Sequence, residues 1–205
     1  MKTDVAQKRG KFIGKVNSLL QEFHFASPDI LVKLLNVYTT SFYGSPLWDI
    51  LGRDCDRLYK SWNVTIRQTL NLERTTHKYL IEPMSGCLHP KVMLASRFLS
   101  FYKSLVKSPK FCVRFLARLG ERDMRTVMGR TLAFLLDQCK VKSGKLEELS
   151  TGNIKRSMKY ASSSEDDEWR IQLALELKSA RDNETTIDGF SKTEVEEMLS
   201  YACTT

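Results

Sequence analysis

The chain has 205 residues, a formal net charge of +8, and ordinary shares of apolar (42%) and charged (27%) side chains, which suits one globular domain, alone or with a small appendage. No window approaches ~18 uninterrupted apolar residues, so no membrane span is expected. The basic start MKTDVAQKRGKF lacks the apolar stretch and cleavage site of a secretory signal, and an intracellular protein of nucleus or cytoplasm is expected. Five cysteines lie far apart at Cys55, Cys87, Cys112, Cys139 and Cys203, an odd count that fits reduced, buried thiols better than a disulfide frame.

Charge is polarised along the chain. Residues 161–205 hold four Lys and Arg against eleven Asp and Glu, a net of −7, which leaves 28 against 13, or +15, for the rest. A basic body with an acidic tail is expected. Such a body attracts polyanions and binds them in a salt-dependent way. The tail either docks on the body or keeps it soluble.

In chain order, Phe12, Ile13, Val16, Leu19, Leu20 and Phe23 form one stripe of a helix from Lys8 to Phe23, with Lys8, Arg9, Lys11 and Lys15 recurring beside it. Ser27-Pro28-Asp29 supplies an N-cap, a first-turn proline and an acidic first turn for a helix to about Tyr43, where Gly44 and Pro46 end it. A helix from Arg53 to Leu70 follows. At 100° per residue it places Cys55, Leu58, Tyr59, Trp62, Ile66 and Leu70 on one face, with Arg53, Arg57, Lys60 and Arg67 opposite. After a short helix at Thr76–Ile81, PMSGCLHP reads as a loop. Pro90 opens a helix to about Lys107 whose apolar arc covers about half its circumference, which predicts the central helix. Helices at about Lys110–Leu119 and Arg122–Cys139 complete a body spanning 1–140. Residues 141–164 read as linker. The acidic tail, 165–205, is expected to form helices from Ser164 to about Arg181 and from Ser191 to Tyr201, each opened by a serine with an acid three residues on. No period-2 alternation argues for a strand, so the fold class is all-α, an irregular multi-helix bundle with a small acidic helical appendage.

Catalytic signatures are weak. Two-metal polymerase chemistry needs carboxylates held together on a rigid strand-bearing scaffold; the one Asp-Asp pair, Asp166-Asp167, sits in a serine-acid run with no strand before it. His77, Cys87 and His89 fit no zinc spacing, and nothing local pairs a cysteine with a histidine as nucleophile and base. The glycines stand singly and form no phosphate-cradling loop. No metal and no cofactor is expected. What remains is phosphate contact by Lys8, Arg9, Lys11, Lys15, Arg53, Arg57, Lys60 and Arg67, which gives affinity without sequence selectivity. Tyr59 and Trp62 point away from the basic edge and are expected in the core.

The stretch Phe42–Leu72, FYGSPLWDILGRDCDRLYKSWNVTIRQTLNL, resembles the region after the palm in LINE-type (non-LTR, jockey-like) retrotransposon reverse transcriptases, where the thumb begins. KRGKFIGKVNSLLQEF and SPDILVKLLNVYTTSFYGSPLWD are similar to that family's thumb-entry helices, and THKYLIEPMSGCLHPKVMLASRFLSFYKSL and RTVMGRTLAFLLDQC to the segment after the thumb. EWRIQLALEL and EVEEMLSYAC resemble its C-terminal end. No single motif among them is diagnostic, and it is their order that makes the likeness specific. The resemblance implies a thumb that closes on a primer-template duplex, with the basic helices facing RNA or DNA. It also implies a chain that is catalytically inactive alone, because endonuclease, fingers and palm have no counterpart in these residues. Apolar surface once covered by a palm would then drive self-association. Two alternatives stay open, a helical protein-interaction module and a translated relic with no selected role.

Overall fold

The computed structural model describes residues 3–141, 149–158, 171–173, 175, 176, 178, 179 and 197. Among them the chain forms α1 (Asp4–Glu22), α2 (Pro28–Thr39), a 3-10 turn (Ser45–Leu47), α3 (Arg53–Thr69), α4 (Lys78–Ser85), α5 (Pro90–Val106), α6 (Phe111–Arg122), α7 (Val127–Gln138) and α8 (Thr151–Met158). No strand occurs among the described residues, and the fold is all-α. Residues 171–173, 175, 176, 178 and 179 of the acidic tail are helical. The helix expected at 191–201 lies, apart from Glu197, outside the described residues, as do Asp166 and Asp167.

The chain divides into two compact units that interleave in sequence. The first comprises Met1–Arg9, Phe42–Tyr59 and Leu88–Lys159; the second comprises Gly10–Ser41, Lys60–Cys87 and Tyr160–Thr205.

In the first unit α5 is central, as its wide apolar arc predicts: it packs against the 3-10 turn, α6, α7 and α8. Pro90 presets the helical φ at its first position, and His89 caps it by accepting from the Lys91 amide at 3.2 Å. Val92, Leu94, Ala95, Phe98, Leu99 and Tyr102 are buried along it. The Tyr102 hydroxyl donates to Glu121 Oε2 at 2.6 Å and so ties α5 to α6. The expected linker at 141–164 carries a helix instead. Leu149, Ile154 and Met158 are buried, α8 packs on α5, and Ser150 Oγ accepts from the Asn153 amide at 3.0 Å as an N-terminal cap. Ser150 and Gly152, which lie in the expected linker, are at this helix's start, while 142–148 and 159–164 lie outside the described residues. Around the 3-10 turn, Gly44 takes a left-handed φ of 82°, and Trp48 packs on Phe42 with ring centroids 5.8 Å apart while its indole donates to Asp4 Oδ2 at 2.8 Å.

Phe12, Val16 and Leu19 of α1, Leu31, Val32 and Leu35 of α2, Trp62 and Ile66 of α3, and Tyr79, Leu80, Ile81 and Met84 of α4 are buried residues of the second unit. α2 stops at Thr39, short of the expected Tyr43, where the Thr39 and Thr40 hydroxyls turn back to the carbonyls of Leu35 and Asn36. α4 runs through Pro83 and Met84, where a loop is expected; Pro83 lies in its final turn, and the left-handed Gly86, whose amide bonds the Glu82 carbonyl, is where it ends. Lys178 of the tail donates to the Met84 carbonyl at 2.6 Å and pairs with Asp29 at 3.2 Å. It thereby joins the end of α4 to the start of α2.

Candidate nucleic-acid interface

Helix α3 presents the two faces its sequence encodes. Asp54 and Asp56 lie in its first turn and complement the positive helix end. Cys55, Leu58, Tyr59, Trp62, Ile66 and Leu70 are all buried, so Tyr59 and Trp62 are core residues. The Tyr59 hydroxyl donates to the Ile50 carbonyl at 3.0 Å. On the opposite side Arg53, Arg57 and Lys60 are exposed. Arg57 also reaches Asp54 at 3.4 Å, a one-turn pair that leaves its side chain 58% exposed.

Arg67 differs from the other three. It is half-buried, and its Nε and Nη2 donate to the Thr76 carbonyl at 3.0 and 2.6 Å; burial pushes its pKa down. The chain reverses there through Asn71, whose φ of 54° is left-handed, and the Leu72 amide closes on the Arg67 carbonyl at 2.8 Å. Arg67 is a fastener of the α3–α4 turn. In α1, Lys11 and Lys15 are exposed, Lys8 and Arg9 half-buried, and Lys15 Nζ donates to the Tyr38 carbonyl at 3.3 Å.

The eight cations expected at the interface divide evenly. Lys8, Arg9, Arg53 and Arg57 belong to the first unit; Lys11, Lys15, Lys60 and Arg67 belong to the second. The units differ strongly in charge: the first carries 21 Lys and Arg against 9 Asp and Glu, a net of +12, and the second 11 against 15, a net of −4.

Much of the first unit's charge lies outside the eight expected cations. Helix α6 has Arg114, Arg118 and Arg122 at four-residue spacing. The Arg114 guanidinium is held by the carbonyls of Ser108 and Pro109 at 2.8 and 3.0 Å, Arg118 reaches Glu121 at 3.2 Å, and Arg122 is exposed. The same helix turns apolar side chains outward: Phe111 is 70% exposed, Leu116 63%, and Phe115 and Leu119 56% each. Its buried residue is Ala117. A signal was available in the sequence, because apolar residues at 111, 112, 115, 116 and 119 fill an arc opposite the small Ala117, and a small residue is what a close helix contact selects.

Cys55 and Cys87 are buried, and Cys203 lies outside the described residues. Burial pushes Cys55 up to about 11 and raises Cys87, which keeps both protonated near neutral pH. Cys112, expected buried, is exposed on α6, and Cys139 is half-buried. His89 packs on the Tyr59 ring with centroids 5.3 Å apart, and His77 stacks on Tyr79 at 5.2 Å. Among the described residues no three His, Cys, Asp or Glu side chains gather closely enough to hold a metal ion, and no described helix is long and apolar enough to cross a membrane.

No family model, curated protein or solved structure matches this chain.

Proposed function

We propose that the chain is a thumb and post-thumb segment of a LINE-type reverse transcriptase that binds nucleic acid through phosphates and has no polymerase activity by itself. The observation that carries the binding reading is the net +12 of the first unit, within which Arg53 and Arg57 stand exposed on the side of α3 opposite its buried face. Lysines and arginines so placed meet a phosphate backbone without reading bases, so the binding is non-specific. The ordered run of family-like segments supports the thumb assignment. Catalysis is left out because the Asp166-Asp167 pair stands in a serine-acid run with no apolar strand before it.

Salt tests the reading directly. Affinity for a labelled RNA–DNA duplex should fall steeply from low to moderate salt, with a log–log slope of about −0.9 for each phosphate neutralised. A flat response, or no binding at low salt, would sink it. Primer extension on an RNA template with magnesium should yield no product; extension would overturn the non-catalytic half alone.

A further inference from the structure

Helix α6 has an outward face of unusual chemistry for a surface helix. Phe111 and Phe115, one turn apart, are 70% and 56% exposed, and their rings stack with centroids 6.1 Å apart and planes 21° from parallel. At 100° per residue, Arg122 projects within ~20° of both rings, and Arg118 within ~20° of Phe111 and ~60° of Phe115. Two aromatic faces and two guanidiniums therefore share one side of one helix, in a unit of net charge +12.

Exposed apolar surface of this extent wants an occupant, and the charge selects among three. A second copy would bring Arg118 and Arg122 toward their own counterparts, which like-charge repulsion opposes. A lipid surface would take the rings below the headgroups and would draw the Arg122 guanidinium, which lies inside the apolar arc, toward the acyl chains. Single-stranded nucleic acid satisfies both parts together: unpaired bases offer flat apolar faces to the rings, and each base carries its phosphate within reach of a guanidinium. A duplex keeps its bases stacked on one another and offers the rings nothing. We propose that Phe111, Phe115, Arg118 and Arg122 form a stacking site for single-stranded RNA or DNA, an assignment that rests on the nucleic-acid reading above and names the form of nucleic acid held at α6.

The test uses the full chain and fluorescence anisotropy with a labelled 12-nucleotide oligouridine and a duplex of equal length. Replacing both rings (F111A/F115A) should weaken single-strand binding at least about tenfold, leave duplex affinity unchanged, and leave the salt slope unchanged because no charge is removed. F111W/F115W should retain or raise single-strand affinity. R118Q/R122Q should weaken single-strand binding and make its salt slope shallower. Both rings are exposed, so the variants keep the fold, which far-UV circular dichroism checks. If F111A/F115A binds oligouridine as the parent does while salt-dependent duplex binding persists, the stacking site is wrong and the broader reading stands. If the parent binds neither ligand at low salt, both fall. Loss in F111A/F115A of binding to phosphatidylserine vesicles, or of a dimer seen by sedimentation, with oligouridine binding unchanged, would overturn the proposal in favour of a membrane or a second copy.

Discussion

The corner between α6 and α7 sets up a substitution whose sign depends wholly on position. A Cβ built on Gly129 would lie 2.3 Å from the Asp123 carbonyl oxygen, 2.8 Å from its carbon and 3.1 Å from the Gly120 carbonyl oxygen. These are backbone atoms fixed by the Thr126 hydroxyl, which accepts the Gly129 amide at 2.9 Å and lies 2.8 and 2.7 Å from the carbonyl oxygens of Gly120 and Asp123. Gly129→Ala must therefore force the corner apart. The cost belongs at the upper end of overpacking, ~3 kcal/mol, or a fall in Tm of ~6–12 °C for a chain of this length. Gly14, exposed on α1 with nothing within 4 Å of its added Cβ, is the counterpart. There alanine relieves glycine's backbone entropy and should stabilise by ~0.5–1 kcal/mol. Urea and thermal melts followed at 222 nm measure both. If Gly129→Ala matched Gly14→Ala in sign, the close approach at the corner would be refuted.

Thr126→Ala should cost ~1–2 kcal/mol by removing the α7 cap, whereas Thr126→Ser should keep most of it; urea melts decide. Cys55 is held up from 9.0 to about 11 by burial. A thiol with its folded pKa above the unfolded one adds stability that is whole below pH 9 and is lost as pH rises through about 11. Melts from pH 8 to 11 should thus show parent stability falling by up to ~1.4 kcal/mol per pH unit more steeply than in Cys55→Ala; equal slopes would contradict the burial of this thiol. Arg67→Gln and Lys60→Gln should separate structure from binding. The first leaves the Thr76 carbonyl without its charged donor and should destabilise by ~1–3 kcal/mol with the salt slope of duplex binding unchanged. The second should hold stability within ~0.5 kcal/mol, and the slope measures its phosphate contact.

Helix class and most helix positions were legible because 3.6-residue periodicity is strong and capping chemistry is local. α3 fell within one residue of its expected end, and α5 was identified as central from the width of its apolar arc alone. The misses have specific causes. Pro83 reads as a breaker, yet a proline in the final turn of α4 gives up little of the helix's hydrogen bonding before Gly86 ends it. α8 was hidden because its two buried helix positions, Ile154 and Met158, are too few to raise a periodic signal above the polar residues around them. Arg67 looked equivalent to Arg53, Arg57 and Lys60 because helical angle reports the face a side chain leaves from. The carbonyl it finds nine residues later is set by the turn.

α6 shows the limit of pattern reading most clearly. An amphipathic pattern states that a helix has two faces, and hydrophobicity ordinarily tells which one is inside. Here the buried side is marked by Ala117 and the outward side by Phe111, Phe115, Leu116 and Leu119, so the usual inference inverts. Charge behaves in a similar way. Counted in chain order the positive excess belongs to everything before the tail, and so to all eight cations alike; counted by compact unit it belongs to the one containing Lys8, Arg9, Arg53, Arg57 and α6. A polyanion responds to the field of folded surface, and adjacency in sequence matters only where it survives as adjacency in space. The cations of the net +12 unit are therefore the ones whose neutralisation should weaken binding most, ahead of Lys11, Lys15 and Lys60 in the unit of net −4.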